Sequence, residues 1–213
     1  KIGALFALKK IEHQYPHCWR CHKPVIFRAT SQWFCSVDDF KDDAVKAAED
    51  VKWFPEWGKD RLQSMVKERA DWCISRQRKW GVPIPVVYCQ DCGKEIIDND
   101  IMMKVSKIFG EEGSDAWFAH DTEYFLPEGF KCPHCGSAKG FDKEKDIMDV
   151  WFDSGSSHAA VCARRKYLKV PADVYLEGAD QYRGWFQSSL LTSVAGGHGA
   201  PYKQIITHGW TVD

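Results

Sequence analysis

A chain of 213 residues with 44% hydrophobic and 28% charged side chains and a formal net charge of -1 has enough apolar material for one filled core, or for a core plus a small module, which excludes disorder and collagen-like structure. No apolar run approaches the roughly 20 residues that span a bilayer, and the opening KIGALFALKK has too short an apolar stretch and no small-residue cleavage site for a secretory signal, so a cytoplasmic protein without membrane segments is expected. The densest acidic stretch, residues 38–43, has a lysine inside it, and charge alone argues neither for nor against RNA as a partner.

Residues 1–34 read as irregular or short-stranded, with a C-W-R-C knuckle followed by the alternation of Val25, Phe27 and Ala29 that suits a strand. Ser36 and Asp39 resemble a capping box, after which Phe40, Ala44, Ala47 and Val51 recur at helical spacing. A second helix is expected over residues 57–69, burying Leu62, Met65 and Val66. Two prolines and a glycine then break the chain between residues 72 and 87 into strand and turn. Residues 88–145 behave as a module of their own: a C-x-x-C, a helix carrying Ile101, Val105, Ile108 and Phe109 on one face, a polar loop and another C-x-x-C. From residue 146 the chain returns to buried character. An apolar run at 174–176, a helix over about 181–194 and a second run at 204–207 have the order strand, helix, strand of a βαβ unit in a parallel sheet.

Six of the nine cysteines fall into three C-x-x-C pairs, while Cys35, Cys73 and Cys162 stand alone. An odd total with paired spacing favours metal over a disulfide framework. A tetrahedral zinc site needs four soft ligands, and each knuckle supplies two from one tight turn. Cys89 with Cys92 and Cys132 with Cys135 bracket the small module and have a glycine after each pair, so they are expected to bind one structural Zn²⁺, closed and without a free position for water. The alternatives are reduced thiols without metal or a thioredoxin-type redox pair, but neither pair lies at a helix start after a strand. Cys18 and Cys21 have no partner knuckle. They read as half of a site completed elsewhere or as two free thiols.

Four stretches come together in order: YPHCWRC (15–21), DWCISRQRKWGVPIP (71–85), DIMDVWFDSGSSH (146–158) and YLEGADQYRGWFQSSLLTSVA (175–195). Across essentially the whole chain this resembles the class I aminoacyl-tRNA synthetases, and among them the isoleucyl-tRNA synthetase family; the valine and leucine families share the layout. Departures are Ala179 for a common serine, Tyr182 for histidine and Trp210 for phenylalanine.

The resemblance implies an α/β fold, the C-terminal half of a doubly wound Rossmann-like catalytic domain with a small zinc-binding insertion. The segments would be 1–87, 88–145 and 146–213. It implies ATP-dependent activation of L-isoleucine to the adenylate, with Mg²⁺ accompanying ATP, and transfer to tRNA(Ile) by a monomeric enzyme. In such sheets ligands meet the carboxyl ends of strands. Glu177, Asp180 and Gln181 offer carboxylates and an amide to an α-amino group and ribose hydroxyls, and Gly178 lets backbone approach. The resemblance adds Trp151 as the wall for the isoleucine side chain, and His208 and Gly209 near the nucleotide. The bland readings are a core tryptophan, a structural histidine, and Asp180 satisfying helix amides. Arg76 and Arg78 are read either as contacts to the tRNA acceptor end or another phosphate, or as internal ion pairs. The family's HIGH-like and KMSKS-like motifs and its editing domain are absent, so the chain alone is expected to be inactive. A zinc-ribbon RNA module is the competing reading; it does not account for LEGADQ and would call for a basic face.

Overall fold

The computed structural model describes residues 2–212. The stretch up to Ser31 forms a compact unit of its own. Within it His17 and Pro24 form an isolated bridge, and the Tyr15 hydroxyl donates to the Val25 carbonyl at 2.6 Å. The strand expected at Val25, Phe27 and Ala29 does not form. Alternation supplies a face but not a neighbouring strand: Phe27 is exposed, and it meets the Tyr15 ring edge-on without a ladder partner for its backbone.

The second unit runs from Gln32. In chain order it contains β1 (Phe34–Cys35), α1 (Lys41–Ala47), β2 (Lys52–Phe54), α2 (Gly58–Lys67), β3 (Trp72–Cys73), β4 (Ser75–Arg76), β5 (Val87–Cys89), β6 (Glu95–Ile96), α3 (Asn99–Glu112), α4 (Ala116–Ala119), β7 (Phe141–Lys143), β8 (Ile147–Met148), α5 (Val150–Gly155), β9 (Tyr175–Gly178), α6 (Trp185–Ala195) and β10 (Gln204–His208). Among the described residues no helix is long and apolar enough to cross a membrane.

The expected capping box at Ser36 is not made. Helix α1 starts later, behind Phe40, without a side-chain cap; the Phe40 amide instead donates to the Val37 carbonyl. Val37 is buried and Phe40 packs against the same core, so packing and not capping sets this helix start. The buried face itself is as expected, with Ala44 and Val51 inside.

Strands β2, β10 and β9 form a parallel sheet in that order. Ile205 of β10 pairs with Trp53 on one side and Tyr175 on the other. The connection from β9 to β10 runs through α6, as the apolar pattern predicts; strand β2, three residues between Val51 and Pro55, carries no such pattern. Helix α6 is apolar and buried nearly all round, which is the mark of a central core helix. Its buried hydroxyls are answered locally: Ser189 donates to the Gly155 carbonyl and Ser193 to Gly199. Around it lie Trp53, Leu62, Tyr175, Tyr182, Tyr202 and Ile205.

A second buried core, separate from the first, is built from β5, β6, β7, α3 and the aromatic pair Trp117 and Phe125. Strands β6, β5 and β7 form an antiparallel sheet. Helix α3 buries Ile101, Val105 and Ile108 as expected and is capped by Asp98, whose carboxylate accepts from the amides of Asp100 and Ile101 at 2.9 and 3.0 Å. Glu144 links this module to the rest of its unit, accepting from the Trp33 indole at 2.7 Å and the Tyr88 hydroxyl at 2.5 Å.

Candidate substrate site and metal centre

Adjacent parallel strands end together, and this brings separated residues side by side. Glu177 on β9 pairs with Thr207 on β10, and Gly178 pairs with His208. Around these ends the Gly178 amide donates to the Glu177 carboxylate at 3.2 Å, and His208 Nε2 stands 4.0 Å from the same oxygen. Glu177 and His208 are each about half exposed, so the cluster opens to solvent. Gln181 donates to Asp180 at 3.2 Å through its Nε2, while its oxygen accepts the Trp185 amide at 2.9 Å and so caps the start of α6. Gly209 follows at the exposed end of β10.

Trp151 joins this cluster from α5. A methyl group at Gly184 would lie 3.0 Å from the Trp151 ring, so the indole rests against bare backbone at the start of α6. Helix α5 is held in place by Asp149, which is buried, accepts from the Trp151 amide at 3.4 Å and the Trp72 indole at 2.9 Å, and pairs with Arg76 at 3.1 Å. The role of Asp149 was not drawn from the sequence, although an aspartate directly before a short helix is a cap signal. Trp185 was not singled out by function either. It stacks on Tyr175 with ring centres 3.9 Å apart and donates to the Ser154 carbonyl. Asp153 lies one turn along α5 from Asp149; burial, together with the Asp149 charge, pushes its carboxyl up to about 6.

Arg76 is engaged internally: besides Asp149, it donates to the carbonyls of Cys73 and Ser75 at 2.7 and 2.8 Å. Arg78 is exposed, on a wall of a cavity that also includes Trp151, Trp80 and Asp153.

The second centre is made by four sulfurs. The Sγ atoms of Cys89, Cys92, Cys132 and Cys135 all lie within 4.8 Å of one another, with Cys89 to Cys135 at 3.7 Å and Cys92 to Cys132 at 3.8 Å. Among the described residues this is the one such group, and it could hold a metal ion. Each knuckle closes the same way. The amides of Gly93 and Gly136 donate to the carbonyls of Cys89 and Cys132, both at 2.8 Å, and both glycines have left-handed backbone, φ +69° and +76°, which glycine adopts without strain. Burial raises the Cys132 thiol but is outweighed by the backbone amides of His134 and Cys135 and by neighbouring thiols, which bring it down to about 6. Cys135, despite the Ser137 amide that lowers it, is pushed up to about 12 with the other three thiols among the causes. Four thiolates this close need a cation among them before all can ionise.

The Cys18 knuckle has the same backbone. The His22 amide donates to the Cys18 carbonyl at 2.7 Å and the Cys18 amide to Lys23 at 2.8 Å; the corresponding bonds from Cys89 to Lys94 and from Cys132 to Ser137 are 3.0 and 2.7 Å. His22 takes the position of the glycine at φ +56°.

Residues 6–213 match the family model described as tRNA synthetases class I (I, L, M and V). The chain is 62% identical over 211 residues to a protein named isoleucine--tRNA ligase from Caldicellulosiruptor bescii, covering 99% of this chain and 23% of that protein. It is 60% identical over 214 residues to the protein of the same name from Carboxydothermus hydrogenoformans, again 99% of this chain and 23% of the relative. The chain thus spans about a quarter of the length of these curated relatives. A crystal structure of Mycobacterium tuberculosis methionyl-tRNA synthetase bound by methionyl-adenylate aligns over 89% of this chain and 28% of that one, at 18% identity and a TM-score of 0.48. With nearly every residue inside the matching family model, and with parallel and antiparallel sheets in one α/β chain, the protein belongs to the class I tRNA synthetases of the isoleucine, leucine, methionine and valine group.

Proposed function

We propose that this chain is the part of an isoleucine--tRNA ligase that completes its amino-acid activation site, within the C-terminal half of a doubly wound Rossmann-like domain. The observation that carries this reading is the meeting of Glu177, Gly178, Asp180, Gln181 and His208 at the ends of two adjacent parallel strands, with the Trp151 ring alongside. In an open parallel sheet that is where a nucleotide or adenylate is received. The names of the relatives favour isoleucine over the other members of the group.

In this reading L-isoleucine and ATP with Mg²⁺ are the substrates, and tRNA(Ile) accepts the product in the cytoplasm, the whole enzyme working as a monomer. Glu177 and Asp180 balance the α-amino charge, Gln181 offers an amide to the ribose, Gly178 and Gly209 let backbone approach, His208 lies near the nucleotide, and Trp151 walls the side chain with apolar surface. A cavity of this kind gains only about 1 to 3 kcal/mol per methylene, the handling of valine by this very enzyme class being the standard example, so rejecting valine is assigned to a part of the whole enzyme other than this one. The chain has neither the HIGH-like nor the KMSKS-like motif. Alone it is therefore expected not to activate isoleucine, because charge developing on the triphosphate is not met.

The four-cysteine centre is proposed as a structural zinc site in an insertion spanning 88–145, between segments 1–87 and 146–213. A zinc ion with bonds of about 2.3 Å to four thiolates has sulfurs about 3.8 Å apart, which agrees with the 3.7 and 3.8 Å separations here. Bound there, zinc would contribute stability to the module and no step of the reaction. Cys18 and Cys21, whose backbone is already turned like the other two knuckles, are proposed as half of a second site completed by ligands outside this chain.

The test is isoleucine-dependent exchange of pyrophosphate into ATP by the whole polypeptide encoded with this chain. Exchange with isoleucine far exceeding that with leucine or methionine is expected, and Glu177→Gln should lower it by about a hundredfold or more. Exchange driven equally well by leucine would overturn the assignment.

A further inference from the structure

Tyr182 is the one buried residue of the short 3-10 turn Ala179–Arg183, and the residues directly before it are Asp180 and Gln181. Its ring is fully enclosed. Trp53, Trp57 and Phe186 stand around it with ring centres 6.2, 5.8 and 5.7 Å away, and the Arg61 guanidinium lies 5.8 Å over it. A phenylalanine would fill such a nest equally well, so the buried hydroxyl calls for an account of its own. It reaches Thr207 Oγ1 at 2.9 Å. Thr207 in turn donates to the Phe54 carbonyl at 3.2 Å, which commits the threonine proton and makes Tyr182 the donor. Burial pushes the phenol pKa up, against the Thr207 hydrogen bond and the Arg61 charge that lower it, so the hydroxyl keeps its proton at neutral pH.

Space for that oxygen is left by α2. A methyl at Gly58 would lie 2.0 Å from the Tyr182 oxygen and 2.9 Å from the ring carbon that bears it, closer than packed atoms approach. The hydroxyl is thus held from both sides, with the start of α2 behind it and β10 ahead. Tyr202 gives the contrast. It is equally buried, and its hydroxyl donates to the Phe186 carbonyl at 3.0 Å, but it precedes β10, at the opposite end of that strand from Thr207.

The Tyr182 bond joins two parts of the candidate site. Thr207 pairs with Glu177 in the sheet and is followed by His208 and Gly209. The other hydrogen bonds of Asp180 and Gln181 run to each other and to the Trp185 amide, so they stay within the turn and α6. We infer that Tyr182 is a positioning residue for the activation reaction: its hydroxyl, acting through Thr207, sets the spacing between Asp180 and Gln181 on the turn and His208 and Gly209 on β10. Its use in that reaction rests on the function proposed above; the link itself does not. Groups that must meet one adenylate together lose rate when their spacing drifts, and a displacement near 1 Å can cost about a hundredfold.

The test is isoleucine-dependent pyrophosphate exchange by the whole polypeptide, with rates divided by the active-site concentration taken from the burst of adenylate formation, so that misfolded protein does not count. Tyr182→Phe and Thr207→Val remove the bond from either side, Thr207→Ser keeps it, and Tyr202→Phe removes a buried tyrosine hydroxyl elsewhere in the same core. Tyr182→Phe and Thr207→Val should each lower kcat by about tenfold, with the KM values for isoleucine and ATP within about twofold of the parent, as for an interaction realised only in the transition state. Combined, they should be no worse than either alone, because they break one link. Thr207→Ser should retain most of the parent's kcat, and Tyr202→Phe all of it, whatever its melting temperature. Equal losses in Tyr182→Phe and Tyr202→Phe would reduce Tyr182 to core packing and overturn the inference; so would a loss in Tyr182→Phe that Thr207→Val does not share, or kcat unchanged in both. Should Tyr182→Phe not fold, Thr207→Val against Thr207→Ser decides, because Thr207 is only partly buried. A parent without exchange overturns the proposed function and this role with it, whereas an active parent with unaffected variants overturns this role alone.

Discussion

The Trp151 indole lies against Gly184, whose missing side chain leaves the space that the ring fills: a methyl there would come within 3.0 Å of the ring and 2.6 Å of the Gln181 side-chain oxygen. One substitution therefore presses on two members of the candidate site, the wall and the amide that caps α6. Gly184→Ala in the whole polypeptide should raise the KM for the amino acid by about tenfold or more, since displacements near 1 Å cost rates of that order and beyond. Steady-state exchange kinetics check this. Metal content should not change, because the cysteine module has a separate core.

The four-cysteine centre gives the most direct measurement. Elemental analysis of the chain should find about one zinc bound through Cys89, Cys92, Cys132 and Cys135, and Cys89→Ser or Cys132→Ser should each abolish it. A structural zinc contributes several kcal/mol to the module it holds, so either variant should unfold the second core while the parallel sheet persists. Trp117, fully buried between Phe109 and Phe125, reports that unfolding by its emission. Cys18→Ser should leave the single zinc in place. If it removes metal as well, the knuckle of Cys18 and Cys21 fills within or between chains.

Glu144 ties the module to its surroundings through the Trp33 indole, the Tyr88 hydroxyl and the backbone amides of Lys145 and Asp146. Burial raises its carboxyl, but these donors outweigh it and hold the pKa below the usual range, so its stabilising contribution is present above the unfolded-state value and fades as pH falls through the folded one. Glu144→Gln should destabilise the chain by about 1 to 3 kcal/mol at neutral pH, the range for hydrogen bonds to a charged group. Urea denaturation at pH 7 and pH 4 checks both parts: the gap between parent and variant should shrink at the lower pH.

What the sequence made legible follows from where the information is stored. Helices α2, α3 and α6 and the β9–α6–β10 unit announce themselves because burial writes a local period into the residues, and the four-cysteine centre because metal geometry fixes local spacing. Strand β2 is silent: Lys52, Trp53 and Phe54 become a strand through pairing with Gln204, Ile205 and Ile206, some 150 residues along the chain. The converse failure is the run at Val25, Phe27 and Ala29, where the alternation exists and the neighbour does not. Ser36 and Asp39 had the letters of a cap, yet the burial of Val37 settled the helix start. Arg76 could be read as facing RNA or an internal carboxylate, and only the fold brings Asp149 to it from 73 positions along the chain. The grouping of Glu177 with His208 likewise needed the sheet register, although each lies in a motif that resemblance had marked.

Asp153 bears on pH. Burial and the nearby Asp149 charge hold its carboxyl up at about 6, against about 3.9 in an unfolded chain. The fold therefore favours the protonated form, and the stabilisation that protonation supplies is complete below about pH 4 and lost as pH rises through about 6. Asp153→Asn keeps the shape and removes the charge. At pH 7 the variant should be more stable than the parent, by about 1 kcal/mol once solvent screening of this half-exposed group is allowed for, and the difference should vanish near pH 4. Thermal melts across that interval test the sign: a variant less stable than the parent at pH 7 would mean that the ionised carboxylate has a partner here, with Arg78, on the wall of the same cavity, the cation placed to supply it.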